Sequence, residues 1–343
     1  MNYFIYDRSG NKQAILQNTT SIQWNPKYWE TGSAEIHARP TEDNVKYLIP
    51  FNRVVCQERN EILFINYVER STDDDMTVHG YMDNLDQRIN TQTAAITNVE
   101  AGLIKLVQNN VRGLDINVAK AMGLTAKVTR TETTYQTLRT SFETFCQTAK
   151  LGWREVVKDG KLNVLELYQG QTRDNIRFSD DLGNILSQKY TQDLSEAKNY
   201  AYVLGEDEGT DRKLVIVDQV ATGDPRLELY VDARDLQSEY TDDNGNDQTY
   251  STAEYEAILR QRGLDKLAET CQAASTFECE LNSEDSLAVL GQDYDLGDVV
   301  PIVSQLFGLV IFARVTGIKF VEETGADTKV TLELNIESQE ALR

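Results

Sequence analysis

Histidine is nearly missing from this chain: 343 residues carry two, His37 and His79. They are the only candidates for an imidazole base or an imidazole metal ligand. No His, Cys or acid accompanies either at ligand spacing, which argues against a zinc site and against a catalytic histidine. Cysteine is sparse as well. Cys56, Cys146, Cys271 and Cys279 are scattered, with no CxxC pair, so free thiols formed in a reducing environment are expected. No apolar run approaches the ~20 residues of a membrane helix. The opening MNYFIYDRSG is broken by Asp7 and Arg8 and has no signal-peptide core. The expectation is a protein made in a cytoplasm, leaving the cell only by lysis or inside a larger particle.

Positive charge is also in short supply. Lys and Arg number 34 against 55 Asp and Glu, a net charge of −21. Binding a nucleic-acid backbone needs clustered cations that replace counterions, and no basic run is present. Base-reading and phosphate-clamping roles are excluded. The acidic excess fits a solvated surface; a sharper reading is a channel wall that must not hold DNA. The familiar enzyme signatures GxSxG, GxxxxGK[ST], HExxH and GxGxxG are missing too. Acid pairs such as Asp180–Asp181 and Glu322–Glu323 carry little information in so acidic a chain. No short internal repeat appears.

Apolar residues make up 40% of the chain, enough for a buried core, and the length predicts two or three domains. Residues 1–90 read as short strands with close turns, an antiparallel barrel or sandwich. Tyr3–Tyr6 ends at Asp7, Ser9 and Gly10. Ser21–Trp24 follows, then Ala34, Ile36 and Ala38 alternate with Glu35, His37 and Arg39 up to Pro40. Arg53–Gln57 and Ile62–Val68 form a hairpin; Asp73–Asp75 form a turn before Thr77–Tyr81. Trp24, Tyr28 and Trp29 cluster: a platform for a sugar or a partner, or, as packing favours, the core and rim of a small barrel.

Residues 91–180 change character. The spacing of Val99, Leu103, Leu106, Val107 and Val111 predicts a helix over Asn98–Asn110 with Asn98 as its cap. Tyr135, Leu138, Phe142, Phe145 and Ala149 predict a second, ending before Gly152. Trp153–Val157 and Leu162–Leu167 flank Asp159-Gly160, a hairpin signal.

From residue 181 the chain returns to strands. Leu182, Ile185 and Leu186 supply an apolar cluster, and Tyr200–Leu204 reads as a strand buried on both faces. Leu214–Val217 and Leu227–Val231 follow. DDNGND, Asp242–Asp247, tempts a calcium reading, but from Asp242 the Gly is fourth and position twelve is Ala253, so the EF-hand pattern fails and a turn tip remains. Ser251 and Glu254 make a capping box for a helix over 251–270, interrupted at Gly263. Phe277–Leu281, Leu296–Val303, Leu309–Val315 with Phe320, and Val330–Leu334 finish a meander, with Pro301 marking an edge or a strand end.

The order of short motifs is distinctive. W-x(7)-G-x(2)-E-I leads to GYMDNLDQRI, then FS-D-D-x-G-N-x-L, KNYAYVLGE, AEYEAILRQRGLDKLAE and QDYDLGDVVPI. The chain resembles the Gp37-like tail proteins of tailed bacteriophages, which are similar to baseplate hub proteins of contractile tails. The resemblance spans almost the whole chain. It implies an α+β, mainly β fold: two small tube-like antiparallel β-barrels, an α+β domain between them, and a helical segment inserted in the second β region. The domains would be 1–90, 91–180 and 181–338, with 339–343 as a tail.

The resemblance further implies a homotrimeric ring at the distal end of a tail. Its neighbours would be a distal tail or tail tube ring, a tape measure protein, and tip, fibre or receptor-binding proteins. DNA would pass through the channel without specific binding. The location would be the virion, after assembly in the host cytoplasm. Catalytic, cofactor and metal residues are expected to be none. A receptor- or carbohydrate-binding tail protein is the alternative, carried by Trp24, Tyr28 and Trp29. A cell-wall hydrolase is third, and a chain ending at Arg343 is expected to lack room for that domain.

Overall fold

The computed structural model describes residues 1–71, 75–207, 209–241, 247–272, 275–281 and 288–341. Strands hold 44% of the chain and helices 17%, an α+β fold that is mainly β. Two compact units are present: Met1–Lys189 with Phe277–Arg343, and Tyr190–Thr276.

The first unit opens as its residue pattern predicts. Tyr3–Tyr6 is a strand, and the Asp7 carboxylate ends it by accepting from the N–H groups of Ser9 and Asn11. Ser33–Ala38 buries Ala34, Ile36 and Ala38 on one face. Arg53–Cys56 and Glu61–Arg70 form the expected hairpin. A short helix at Glu42–Tyr47, capped by Thr41, gave no clear sequence signal. Asp73 and Asp74 of the expected turn lie outside the described residues, as does 242–246 of the DDNGND segment.

The helices follow their caps. Val99–Asn110 starts where Asn98 Oδ1 accepts the Ala101 N–H at 2.8 Å. Leu138–Ala149 starts at Thr137 and stops at Lys150, whose φ of 54° sends its N–H back to Cys146 and Gln147. Tyr135 does not join this stripe; it is exposed at a φ of 50°. The strands Gly152–Lys158 and Lys161–Tyr168 meet across Asp159 and Gly160, both at positive φ.

A long strand, Leu309–Glu323, joins the two ends of the chain. The strand expected at Leu309–Val315 runs on past Phe320 as one strand of 15 residues, bent by register shifts at Phe312/Ala313 and Val315/Gly317, and is the middle strand of the expected meander. One edge pairs along its length with Lys329–Ala341, and the opposite edge pairs first with Val299–Ser304. Further along that second edge Thr19–Asn25 pairs with residues 320–323, setting Phe320 opposite Trp24. The resulting sheet has 16 strands and is branched; its longest path runs from Ile185–Gln192 to Asn117–Val118. Among the described residues this ladder closes no barrel.

In the second unit Tyr200–Leu204 lies between Leu214–Asp218, antiparallel, and Glu228–Asp232, parallel. The helix Thr252–Gln272 covers one face. Its capping box is present: Ser251 N–H donates to Glu254 Oε2 at 2.8 Å, and Glu254 N–H to Ser251 Oγ at 3.3 Å. Gly263 does not break the helix. A Cβ there would lie 2.7 Å from Val203 and Val217, so the glycine admits the sheet. The expectation for Tyr200–Leu204 needs correction. Ala201 and Val203 are buried, but Tyr200, Tyr202 and Leu204 face the uncovered side. The helix covers one face only, and an apolar run does not report which faces have cover.

Candidate functional site

The residues that carry the motifs act as fasteners of the fold. Phe178 stacks edge-on against Tyr294, with ring centres 5.1 Å apart. Asn184 closes its turn: Oδ1 accepts from Ser179 N–H at 2.8 Å, and Nδ2 donates to Arg177 O at 2.9 Å. The Asp180 carboxylate accepts from the N–H groups of Gln305 and Leu306 at 3.1 Å, pinning a second turn to the first. Glu322 accepts from the Tyr3 hydroxyl. Both acid pairs singled out by position are therefore structural.

The QDYDLGDVVPI segment does the same. Asp298 takes Gln171 N–H and Arg173 Nε, each at 2.7 Å. Gly297 stands at a φ of +94°, where an added Cβ would come 2.2 Å from the Tyr28 ring. Gly152 meets the same ring at the same distance. Tyr28 thus sits in a slot only glycine can line. In the second unit Gly205 admits the Tyr255 hydroxyl, which donates to Leu236 O at 2.6 Å and accepts Glu206 N–H at 2.9 Å.

Trp24, Tyr28 and Trp29 are all buried. Trp24 Nε1 donates to Glu61 Oε2 at 2.7 Å, and Glu61 is held by Arg59, which reaches Asp295 at 3.1 Å. Tyr28 donates to Lys150 O, and Trp29 O accepts Trp153 Nε1. None offers a ring face to a sugar, so of the two readings the favoured one, core packing, is the one observed. Cys56, Cys146 and Cys279 are free and buried, and burial raises each thiol above its ordinary value. The Cys271 side chain lies outside the described ones.

Sequence spacing missed one constellation. Both histidines share the Glu35 carboxylate: His37 Nε2 at 2.7 Å and His79 Nδ1 at 3.5 Å, with Asp75 3.3 Å from His37 Nδ1. Glu35 and His79 are directly opposite on paired strands, and Glu35 and His37 point to the same face. The alternation was visible in the sequence; the pairing partner was not. The hydrogen bond to Glu35, with help from Asp75, raises the His37 pKa. Among the described residues no group of three or more His, Cys, Asp or Glu is arranged to hold a metal. Thr77 Oγ1 and Asp75 approach the same nitrogen of His37, so the ring does not relay between them.

What remains exposed is apolar surface. In the first unit Leu182, Leu186, Leu306 and Phe307 are exposed around the turns tied by Asp180. The cluster expected at Leu182, Ile185 and Leu186 therefore splits: Ile185 is buried, and the two leucines face out. In the second unit the bare sheet face shows Leu214, Ile216 and Tyr230.

A family model described as Siphovirus ReqiPepy6 Gp37-like protein matches residues 2–334. The chain belongs to this family. The Gp37-like chain also shares its fold with solved tail proteins. One is the tail protein from Neisseria meningitidis MC58, with a TM-score of 0.63, 14% identity, and coverage of 98% of this chain and 97% of that one. Another is the 43 kDa tail protein of prophage MuSo2 from Shewanella oneidensis, at 0.62 and 12%, covering 97% of each chain. A third is prophage tail protein gp18 from Listeria monocytogenes EGD-e, at 0.56 and 13%, covering 98% and 96%. At these identities the likeness is one of fold. No curated protein matches the chain. The chain is a Gp37-like tail protein by family, and its fold is that of these solved phage tail proteins.

Proposed function

We propose that this Gp37-like protein is a structural, non-catalytic hub at the distal end of a phage or phage-like tail. Three copies close into a ring that joins the tail tube or distal tail ring to the tip. In this reading residues 1–90 and 181–338 supply two tube-like domains per chain, 91–180 lies between them, and 339–343 is a tail. Three chains then offer six similar surfaces to a sixfold ring above. The observation that carries the reading is the family match over residues 2–334, supported by tail-protein folds that align nearly end to end.

Charge supports the channel. Three copies bring three times −21 to one ring. Acids facing the lumen repel the DNA backbone over about a Debye length, roughly 8 Å at physiological salt, so DNA passes without being held. The exposed leucines and the bare sheet face are available to neighbouring chains, to the tape measure protein, and to tip or receptor-binding proteins. Assembly takes place in the host cytoplasm. The receptor-binding reading has lost its carrier, since the three aromatics are buried.

Native mass across a concentration series, followed by negative-stain imaging with the distal-ring partner added, tests the proposal. A threefold ring with a central hole is expected. A chain that stays monomeric even with its partner overturns it. Cell-wall zymography is expected to show no cleared band.

A further inference from the structure

The first unit contains a cleft of about 420 Å³, lined by Arg8, Arg53, Arg88 and Arg139. Its acids are Asp83, Asp86 and Asp115. Guanidiniums outnumber carboxylates here, in a chain where acids exceed bases 55 to 34. Arg139 is paired with Asp83 and Asp86, and Arg53 Nη2 with Asp115 at 2.6 Å. The other two arginines meet no carboxylate among the described residues. Arg88 directs its donors to the carbonyls of Val111, Gln87 and Arg112, which carry no net charge. Arg8 is exposed and faces the Phe51 ring at 5.9 Å.

The floor of the cleft is polar and incompletely bonded. Arg53 and Asn84 are each 4% exposed. Arg53 Nε and Asn84 Oδ1 have no hydrogen-bond partner. Buried polar atoms are nearly always paired. Arg53 Nε is a donor that a carboxylate oxygen can take, whereas the Asn84 oxygen is an acceptor and calls for an N–H such as a peptide's. The mouth is unusual as well. Phe51 stands at a φ of +73°, which is strained for a bulky residue, and is 66% exposed. Strain of this kind persists where a function needs the side chain in place. Phe64 lies under Arg53 and Tyr81 under Arg139, fixing the planes of two guanidiniums.

Asp115 shows what the cleft recognises. Its side chain is 59% exposed, while that of its partner Arg53 is 5% exposed. Its Oδ2 takes Arg53 Nη2 and Asn163 Nδ2, Arg53 Nη1 donates to the carbonyls of Asp7 and Arg8, and Nε is left bare, whereas a well-placed carboxylate takes two nitrogens of the fork at once. We infer that this cleft binds a carboxylate-bearing peptide segment of a partner protein, and that Asp115 holds the carboxylate position until the partner displaces it. The volume lies within the range of roughly 300–1,000 Å³ usual for ligand sites. A polyphosphate chain fits less well, because it brings a long run of charge to a chain of −21, whereas a short acidic peptide places its carboxylates only at the arginines. The inference is independent of the hub reading.

Fluorescence anisotropy on the full chain tests it, with fluorescein-labelled hexaglutamate as the probe and hexaglutamine and a short single-stranded oligonucleotide as controls. Hexaglutamate is expected to bind saturably, at least tenfold tighter than hexaglutamine, and more weakly as salt rises. Arg8→Glu reverses one exposed charge that makes no ion pair among the described residues, and is expected to weaken binding at least tenfold. Asp115→Asn removes the charge of the internal competitor and is expected to tighten binding threefold or more, a gain that a merely structural Asp115 would not give. If Asp115→Asn does not fold, Arg8→Glu decides alone. Equal binding of the two peptides, preference for the oligonucleotide, unchanged affinity in Arg8→Glu, or no saturable binding overturns the inference.

Discussion

The two compact units reach stability by different routes. The first joins distant segments through a long ladder and buries paired charge: Glu61 with Arg59, and Arg53 with Asp115. The second is a helix on three strands, with a core of Ala201, Val203, Val215, Val217, Val231, Ala233, Tyr255, Leu259 and Leu267. One depends on paired charges and on slots that only glycine can line; the other depends on close aliphatic contact. Buried charges and tight slots tolerate less change than aliphatic packing, because a broken pair leaves an unpaired ion and a rigid ring cannot step aside.

The same substitution in each unit tests this contrast most strongly. Gly297→Ala adds a methyl at a left-handed φ, against the Tyr28 ring. It is expected to cost about 3–5 kcal/mol. Gly263→Ala presses on two valines but gains helix propensity, for a net cost of about 1–2 kcal/mol. Urea unfolding checks both. All three tryptophans, Trp24, Trp29 and Trp153, lie in the first unit, so their fluorescence follows that unit and far-ultraviolet circular dichroism follows both. Equal costs would erase the contrast.

Next in size is Trp24→Phe. It keeps the ring but removes the donor to Glu61. A loss of about 2–3 kcal/mol is expected, since hydrogen bonds to charged groups are the costly ones. A loss below about 0.5 kcal/mol would mean that water replaces the indole.

One acid in each unit should respond to pH in the opposite direction from the other. Burial pushes the Glu155 carboxyl well above its ordinary value, with Asp83 adding to the rise. The folded state then holds a proton the unfolded state releases, so stability falls as pH rises from the unfolded pKa toward the folded one. Glu155→Gln is expected to raise the melting temperature more at pH 8 than at pH 5. Asp232, in the second unit, is held below the ordinary carboxylate range by hydrogen bonds from Arg234 and Arg212. Its contribution is present above the unfolded pKa and fades as pH falls toward the folded one. Asp232→Asn is therefore expected to matter at pH 7 and to converge with wild type in acid. The smallest effect is at His37. Its NMR titration midpoint is expected above the ordinary imidazole value, and Glu35→Gln is expected to lower it. An unshifted midpoint would remove Glu35 as the cause.

Local signals were legible in the sequence. Asn98, the Ser251–Glu254 box and Asp159-Gly160 each act within a few residues, and each forms the cap or turn expected. Signals that depend on distant partners were not. Nothing near Leu182 or Leu186 reveals that they stay outside, because that depends on what the sheet leaves uncovered. Glu35, His37 and His79 meet only through strand pairing, and Arg8, Arg53, Arg88 and Arg139 share a cleft only after folding. The family was nonetheless readable from the order of short motifs. Those motifs are fasteners, and fasteners fix which distant segments must meet.

One such meeting has a temporal side. The edge of Thr19–Asn25 that carries Trp24 against Phe320 has to wait for Leu309–Glu323. At roughly 5–20 residues per second of synthesis, a separation of about 300 residues is a delay of some 15–60 seconds. During that interval the N-terminal hairpin keeps an unpaired edge, open to the same strand of a neighbouring nascent chain on a crowded message. The first unit is finished only once Leu309–Glu323 has been made, and a cell that makes many copies at once must hold those edges apart until each chain supplies its own partner.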